Sequence, residues 1–218
     1  ADGWRIGAGG GGGKRVSAAR ALAETPDIAA MERAQEALGQ PPLVMVRSGM
    51  APLDQALDER GYGLVDPTVG LVAPLDRFPT DLPRLTAFEV AWPPLGFQRE
   101  IWAQGGVSAE RIAVMERVSG PHATLLGRTG DRPSATAFVA ATGRMAMLHA
   151  LEVLPEDRRC GLGRTLMIAA ARWARRQGAD ALCVLVTRSN TPALALYRAL
   201  GMTEVTGYHY RLRREMPG

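Results

Sequence analysis

The stretch Arg158-Arg159-Cys160-Gly161-Leu162-Gly163-Arg164 holds the residue types that a phosphate group needs. It follows the apolar run Met145 to Leu154 and opens the apolar-periodic segment Leu162 to Gln177. A strand therefore runs into a glycine-bearing turn, and the turn into a helix. The first N–H groups of a helix have no partner inside it, and the helix dipole adds partial positive charge there. Gly161 and Gly163 let a ligand approach the backbone, while Arg158, Arg159 and Arg164 add full charges. The segment reads as a pyrophosphate site. It fails as a dinucleotide fingerprint, because Leu166 stands where a third glycine belongs. It fails as a P-loop, because no lysine lies nearby. The plainer reading of the same residues is a strand–helix turn with glycines for packing.

A second constellation follows. The continuous apolar run from Ala181 to Val186 reads as a strand buried on both faces. Next comes Ser189-Asn190-Thr191-Pro192, which starts a helix with proline in its first turn. Gly201 is a natural stop. Asn190 and Tyr197 are seven residues apart, so they lie near one line of that helix, two turns apart.

The pattern Arg-x-x-Gly-x-Gly at Arg158 to Gly163, then Asn190, Tyr197 and Gly201 in this order and spacing, resembles the GNAT superfamily of acetyltransferases. The resemblance covers roughly the last hundred residues. Met202 departs from it, standing where the family usually has phenylalanine. The implied fold is α/β (α+β): a GNAT-like mixed central sheet flanked by helices, in the order β-α-α-β-β-β-α-β-α-β. The implied activity is N-acetyl transfer from acetyl-CoA to a primary amine by direct attack. Acetyl-CoA would lie where the strands Met145–Leu154 and Ala181–Thr187 splay apart. Backbone groups of Arg159, Cys160, Gly161, Leu162, Gly163 and Arg164, with Arg158 beside them, would hold its pyrophosphate. Main-chain groups of Leu151 and Val153 would pair with the pantetheine arm, and Asn190 would hydrogen-bond it. Tyr197 would be the general acid toward the leaving thiolate. A core tyrosine and a simple N-cap are the plainer roles of Tyr197 and Asn190.

The attacking amine must lose a proton, which calls for a base within hydrogen-bond reach or one water away. Glu152 and His149 are the candidates on the central strand, and Glu152 adjoins the expected acetyl position. Strand alternation would put the two on opposite faces. His122 and His209 receive no role. Cys160 is incidental to a direct transfer. No His, Cys and carboxylate cluster has metal-ligand spacing, so no metal is expected.

The elements that would position these residues follow from pattern. Leu95 to Gln104 and Ser108 to Arg117 read as helices separated by Gly105-Gly106, with Ser108 an N-cap. Ala123–Leu126, Ser134–Ala141 and Met145–Leu154 read as an antiparallel meander. Tyr208 to Arg213 alternates and reads as a final strand. Acceptor choice would rest on the region Trp92 to Arg117, which carries no readable motif.

At 218 residues and 46% hydrophobic content the chain can bury a real core. No apolar run reaches membrane-span length. Cys160 and Cys183 form no framework and suit free thiols in a reducing cytoplasm. The net charge is +4, yet Lys14 is the only lysine and the arginines are scattered. With 6% aromatic residues there is no basic–aromatic surface for a nucleic acid. A non-catalytic acyl-CoA-binding or regulatory module is the competing class. The partner expected is a small-molecule or peptide amine, with neither nucleic acid nor membrane, and a monomer or homodimer is expected.

Sliding the chain by 140 residues aligns two segments without a gap. Leu43–Arg47 falls on Cys183–Thr187, Pro52 on Pro192, Gly61 on Gly201 and Val65 on Val205. The chemistry does not repeat, for Met50 stands opposite Asn190 and Leu57 opposite Tyr197. Residues 1–82 thus read as a degenerate, partial GNAT-like unit and residues 83–218 as the catalytic domain, with the boundary in Leu75 to Pro83. The run Gly9 to Gly13 reads as a loop or hairpin between Trp4–Ile6 and Val16–Ala18, not a second phosphate loop.

Overall fold

The computed structural model describes residues 3–81 and 86–213. The proposed cut between residues 82 and 83 lies outside the described residues. Two compact units are present. Unit 1 comprises the described residues up to Val69, Thr187–Asn190 and those from Thr206 onward. Unit 2 comprises Gly70–Val186 and Thr191–Val205.

From Ala87 onward the elements follow the expected order. They are β5 (Ala87–Val90), α4 (Gly96–Gln104), α5 (Ala109–Glu116), β6 (His122–Thr129), β7 (Arg132–Thr142), β8 (Met145–Val153), α6 (Leu162–Arg176), β9 (Ala181–Thr187), α7 (Thr191–Ala199) and β10 (Thr203–Arg213). All lie in unit 2 except Thr187 at the end of β9 and the residues of β10 from Thr206, which belong to unit 1. Strand order is β4-β9-β8-β7-β6-β5, where β4 (Tyr62–Pro74) contributes its second half. β5 to β8 pair antiparallel, and β8 pairs parallel with β9, so the sheet is mixed. β6 and β7 are longer than their apolar cores, because the turns at Gly130 and Gly143 let pairing continue to the hairpin ends.

Each face of this sheet is covered. Helix α6 buries Leu166, Met167, Ala170, Ala171 and Ala174 at helical spacing. A β-carbon on Gly127 of β6 would touch Leu162 and Leu166, so α6 lies on the face of Gly127 and its partner Ala135. Thr136 and Phe138 point the other way, where α4, α5 and the turn between them pack Trp102, Val107, Ile112 and Met115 on Phe138. Gln98, fully buried, locks α4 in place. Its side chain accepts from Leu95 N and Thr124 Oγ1 and donates to Leu125 O and Thr136 Oγ1. All four groups of the amide are used, as burial requires.

Unit 1 holds β1 (Trp4–Arg5), α1 (Lys14–Ser17), β2 (Arg20–Ala21), α2 (Ile28–Ala37), β3 (Leu43–Arg47), α3 (Ala51–Glu59) and the first half of β4. The glycine run is not a simple hairpin. β1 pairs with β2, and between them the glycines lead into the short helix α1. In this unit β3 pairs antiparallel with β10. The fully buried Gln35 ties α2 to β3 by accepting from Leu43 N and donating to Leu43 O and Ser17 O. Helices α3 and α7 occupy positions 140 residues apart over their whole lengths. Two backbone bonds keep the same offset at both ends: Ser48 N–H to Gly207 O at 3.1 Å, and Arg188 N–H to Pro67 O at 2.7 Å. Among the described residues no helix is long and apolar enough to cross a membrane.

Candidate active site

The site begins where β8 and β9 part. Their parallel pairing covers Met145–Leu148 against Ala181–Val184, although β8 continues to Val153 and β9 to Thr187. Beyond Leu148 the facing edge of β8 is left unpaired by β9. Leu154 N–H donates to Ser134 O on the β7 side. Alternation therefore turns the main-chain groups of Leu151 and Val153 away from β7, toward the gap.

A β-bulge sets the side chains. Phe138 faces His149 and Thr136 faces Glu152, so two residues of β8, Ala150 and Leu151, oppose the single Ala137 of β7. Ala150 takes up the extra residue with φ of 46°, a left-handed value that a non-glycine residue adopts at a cost of about 1 kcal/mol or more. The bulge corrects the expectation from simple alternation. His149 and Glu152 lie on one face of the sheet, the face covered by α4 and α5, because each pairs with a β7 residue pointing there. The carbonyl of Ala150 accepts from Trp102 Nε1 at 2.8 Å, and Trp102 is fully buried. The indole holds the bulge.

Glu152 is half-buried, and the α4–α5 turn closes on it. A β-carbon on Gly105 would lie 2.5 Å from Glu152 Cδ. Burial raises the Glu152 carboxyl above the usual carboxylate range, opposed by the charges of Arg158 and Arg111. Tyr197 is buried on α7. Burial first, and then the negative charge of Glu152, push its phenol up to about 12. The residue stays protonated at neutral pH. His149 is half-buried with its ring 6.3 Å from that of Phe138. His122 accounts for itself structurally, Nδ1 lying 2.7 Å from Gly120 O.

The loop after β8 has the open backbone the sequence suggested. Asp157, buried, accepts two bonds from Arg132 Nη2 at 2.9 and 3.0 Å and pins the loop to the start of β7. Arg158 Nε donates to Val153 O at 3.0 Å. Arg159 and Gly161 are left-handed, with φ of 63° and 87°. Gly161 precedes α6 without any side-chain cap, and the first intrahelical bond is Thr165 N–H to Gly161 O. The amides of Leu162, Gly163 and Arg164 come before it. Gly163 packs closely on α7, since a β-carbon there would come within 3.2 Å of the Leu196 side chain. Such a turn fits a pyrophosphate: open amides, no occupying side chain, and exposed arginines around it.

The structure thus groups Leu151, Glu152, Val153, the Arg158–Arg164 loop and Tyr197 in unit 2. Asn190 belongs to unit 1, where its N–H donates to Thr187 O at 3.0 Å. Cys160 is exposed, Cys183 is buried, and neither is part of a disulfide. Among the described residues no group of His, Cys, Asp and Glu is arranged to hold a metal ion. Sequence reasoning missed Ala150, Trp102 and the wall role of Gly105. Only Gly105 left a trace there, as half of a glycine pair.

Residues 85–202 match the sequence profile of the Acetyltransferase (GNAT) family. A mycothiol acetyltransferase from Thermobispora bispora is 38% identical over 66 residues, covering 30% of this chain and 22% of that protein. The chain thus spans under a quarter of that relative's length. An aminoglycoside N(6')-acetyltransferase type 1 from Klebsiella aerogenes is 28% identical over 146 residues, covering 60% of this chain and 93% of that protein. Among solved structures, a GCN5-related N-acetyltransferase from Kribbella flavida superposes with a TM-score of 0.70 at 19% identity, over 92% of this chain and 82% of that one. The last likeness speaks for the fold alone. With the profile matched over more than half of the chain, and the mixed sheet, parted strands and open loop in place, this chain belongs to the GNAT acetyltransferase family.

Proposed function

We propose that the chain transfers an acetyl group from acetyl-CoA to a primary amine by direct attack. The observation that carries this reading is the parting of β8 and β9 after Leu148, with Glu152, Tyr197 and the open Arg158–Arg164 loop in the same unit. The loop from Arg158 to Arg164 holds the pyrophosphate on its amides. The main-chain groups of Leu151 and Val153 take the pantetheine arm as an added strand. The acceptor approaches from the α4–α5 side. Glu152 takes a proton from the amine, directly or through one water. The nitrogen attacks the thioester carbonyl, and the oxyanion is met by a main-chain N–H of the β8 edge. The C–N bond forms, the C–S bond breaks, and Tyr197 gives its proton to the thiolate. The raised phenol suits a group that must still hold its proton when the thiolate appears.

The same reading takes residues 1–82 as a degenerate GNAT-like unit and residues 83–218 as the catalytic domain. The constant offset of α3 from α7, and of the Ser48–Gly207 and Arg188–Pro67 bonds, supports it. Met50 and Leu57 replace Asn190 and Tyr197 in the first unit, so only the second carries the chemistry. The protein would work in the cytoplasm as a monomer or homodimer. The acceptor is a small-molecule or peptide amine. The test is thiol release from acetyl-CoA over a panel of amino acids, polyamines, aminoglycosides and peptides. Acceptor-dependent release supports the enzyme. Binding of acetyl-CoA without release under any amine would support an acyl-CoA-binding module instead.

A further inference from the structure

Granted the acetyl-transfer reading, on which it rests, we propose that the acceptor is a free amino acid, with Arg111 receiving its carboxylate while Glu152 meets its amine. Glu152 lies on the sheet face that α4 and α5 cover, and the turn at Gly105 closes on it. Arg111 stands just beyond that turn, in the first turn of α5, where its N–H donates to Ser108 Oγ at 3.4 Å. The helical repeat fixes the direction of its side chain. Ile112 and Met115 are buried on the sheet side, against Phe138. Arg111, Met115 and Val118 follow at i, i+4 and i+7, one row along the edge of that buried stripe. Arg111 therefore leaves the helix next to the sheet, and it is exposed there. Its acidic neighbour Glu110 falls on the far side of the helix from Ile112 and is held by the Ser108 hydroxyl. The charge of Arg111 reaches the Glu152 carboxyl, where with that of Arg158 it opposes the upward push of burial. Arg111 nevertheless makes no ion pair among the described residues, with Glu152 or with any other carboxylate. Arg158 is engaged, its Nε donating to Val153 O. What remains beside the base is the guanidinium of Arg111, with its donors open to a ligand.

The chemistry then selects the acceptor. A guanidinium takes both oxygens of a carboxylate through paired N–H donors. An α-amino acid carries that carboxylate one carbon from its amine, so holding it at Arg111 delivers the amine toward Glu152. For a polyamine or an aminoglycoside the same arginine is a like charge beside the entering amine, which disfavours it.

The test is thiol release from acetyl-CoA with the common amino acids, beside a polyamine and an aminoglycoside. Each amino acid accepted is then compared with its carboxamide and with the amine that lacks the carboxyl group, in wild type, Arg111→Gln and Arg111→Lys proteins with their thermal melts recorded. The carboxamide keeps the size and loses only the charge. Its amine is also less basic, so amine ionisation alone would favour it. The proposal expects kcat/KM for the amino acid to exceed that for its carboxamide by about tenfold or more in the wild type. Arg111→Gln should erase this preference by raising the amino-acid KM, with the acetyl-CoA KM and the melt unchanged, and Arg111→Lys should restore part of it. Release with the polyamine or the aminoglycoside alone, or with carboxamides as readily as with acids, would overturn the amino-acid assignment and leave acetyl transfer standing. So would a preference that Arg111→Gln leaves intact. No release with any acceptor would remove the acetyl-transfer reading itself, and the assignment with it.

Discussion

Gly105 and Glu152 lie so close that a side chain on Gly105 has to displace one of them, its β-carbon falling 2.6 Å from Glu152 Oε2. The turn between α4 and α5 is therefore a wall that fixes where the carboxylate can be. Gly105→Ala must displace either the turn or the carboxyl group. We expect kcat/KM to fall at least tenfold with acetyl-CoA affinity unchanged. Wild-type kinetics in this variant would mean that the carboxylate position is irrelevant.

Glu152→Gln keeps the shape and removes the base. Activity should drop by ~100-fold or more, a usual range for a positioned general base. In the wild type, kcat/KM should rise with pH through a pKa above 4.5, since the carboxyl is raised by burial and acts deprotonated. Stability should move the other way. A carboxyl raised on folding supports the fold below its unfolded pKa and loses that support as pH rises through the folded value. Glu152→Gln should therefore melt higher than wild type at pH 7, with the gain vanishing near pH 3. A lower melt at pH 7 would contradict the burial cost assigned to Glu152.

For Tyr197, Phe is the informative replacement. The ring is buried and its loss would leave a cavity, whereas losing the hydroxyl alone tests the proton. Turnover should fall by ~100-fold while acetyl-CoA binds as before. A phenol pushed up to about 12 also predicts no alkaline loss of kcat from this group below about pH 10. A variant with full turnover would remove Tyr197 from the chemistry and leave it as core.

The local elements of the candidate site are legible in the sequence. The loop glycines and arginines, the helix after them, and the Asn190–Tyr197 helix are local patterns, and local patterns fix local structure. The strand β9 was readable because burial on both faces leaves a continuous apolar run. The bulge was not. Ala150 at positive φ gives no sign of itself, because alanine is at home in any strand or helix. Reading β8 as a regular strand then put His149 and Glu152 on opposite faces, which the register reverses. Trp102 and Gln98 looked like ordinary residues of an amphipathic helix. Their roles come from partners on β6 to β8, distant in sequence. Pairing of β10 with β3 was equally out of reach, since an alternating strand does not name its neighbour.

Trp102 gives the sharpest test of the bulge. Trp102→Phe removes the Nε1 donor to Ala150 O and keeps most of the buried ring. A buried carbonyl left without its partner costs about 1–3 kcal/mol, so the melt should drop by several degrees. The kinetic signature should be a lower kcat with little change in the acetyl-CoA KM. Trp102→His, which can restore an N–H donor, should recover part of it. Equal losses in kcat and acetyl-CoA affinity would reduce Trp102 to general packing.

The central claim is that the Arg158–Arg164 loop of unit 2 holds acetyl-CoA. The direct measurement is a calorimetric titration of the full chain with acetyl-CoA and with free CoA, beside an Arg158→Ala/Gly161→Asp variant of confirmed fold. The account predicts one saturating site for each ligand in the wild type and none in the variant, because Asp brings a negative charge and a side chain to a left-handed position among the open amides. Absence of binding to the wild type, or equal binding to the variant, would contradict it.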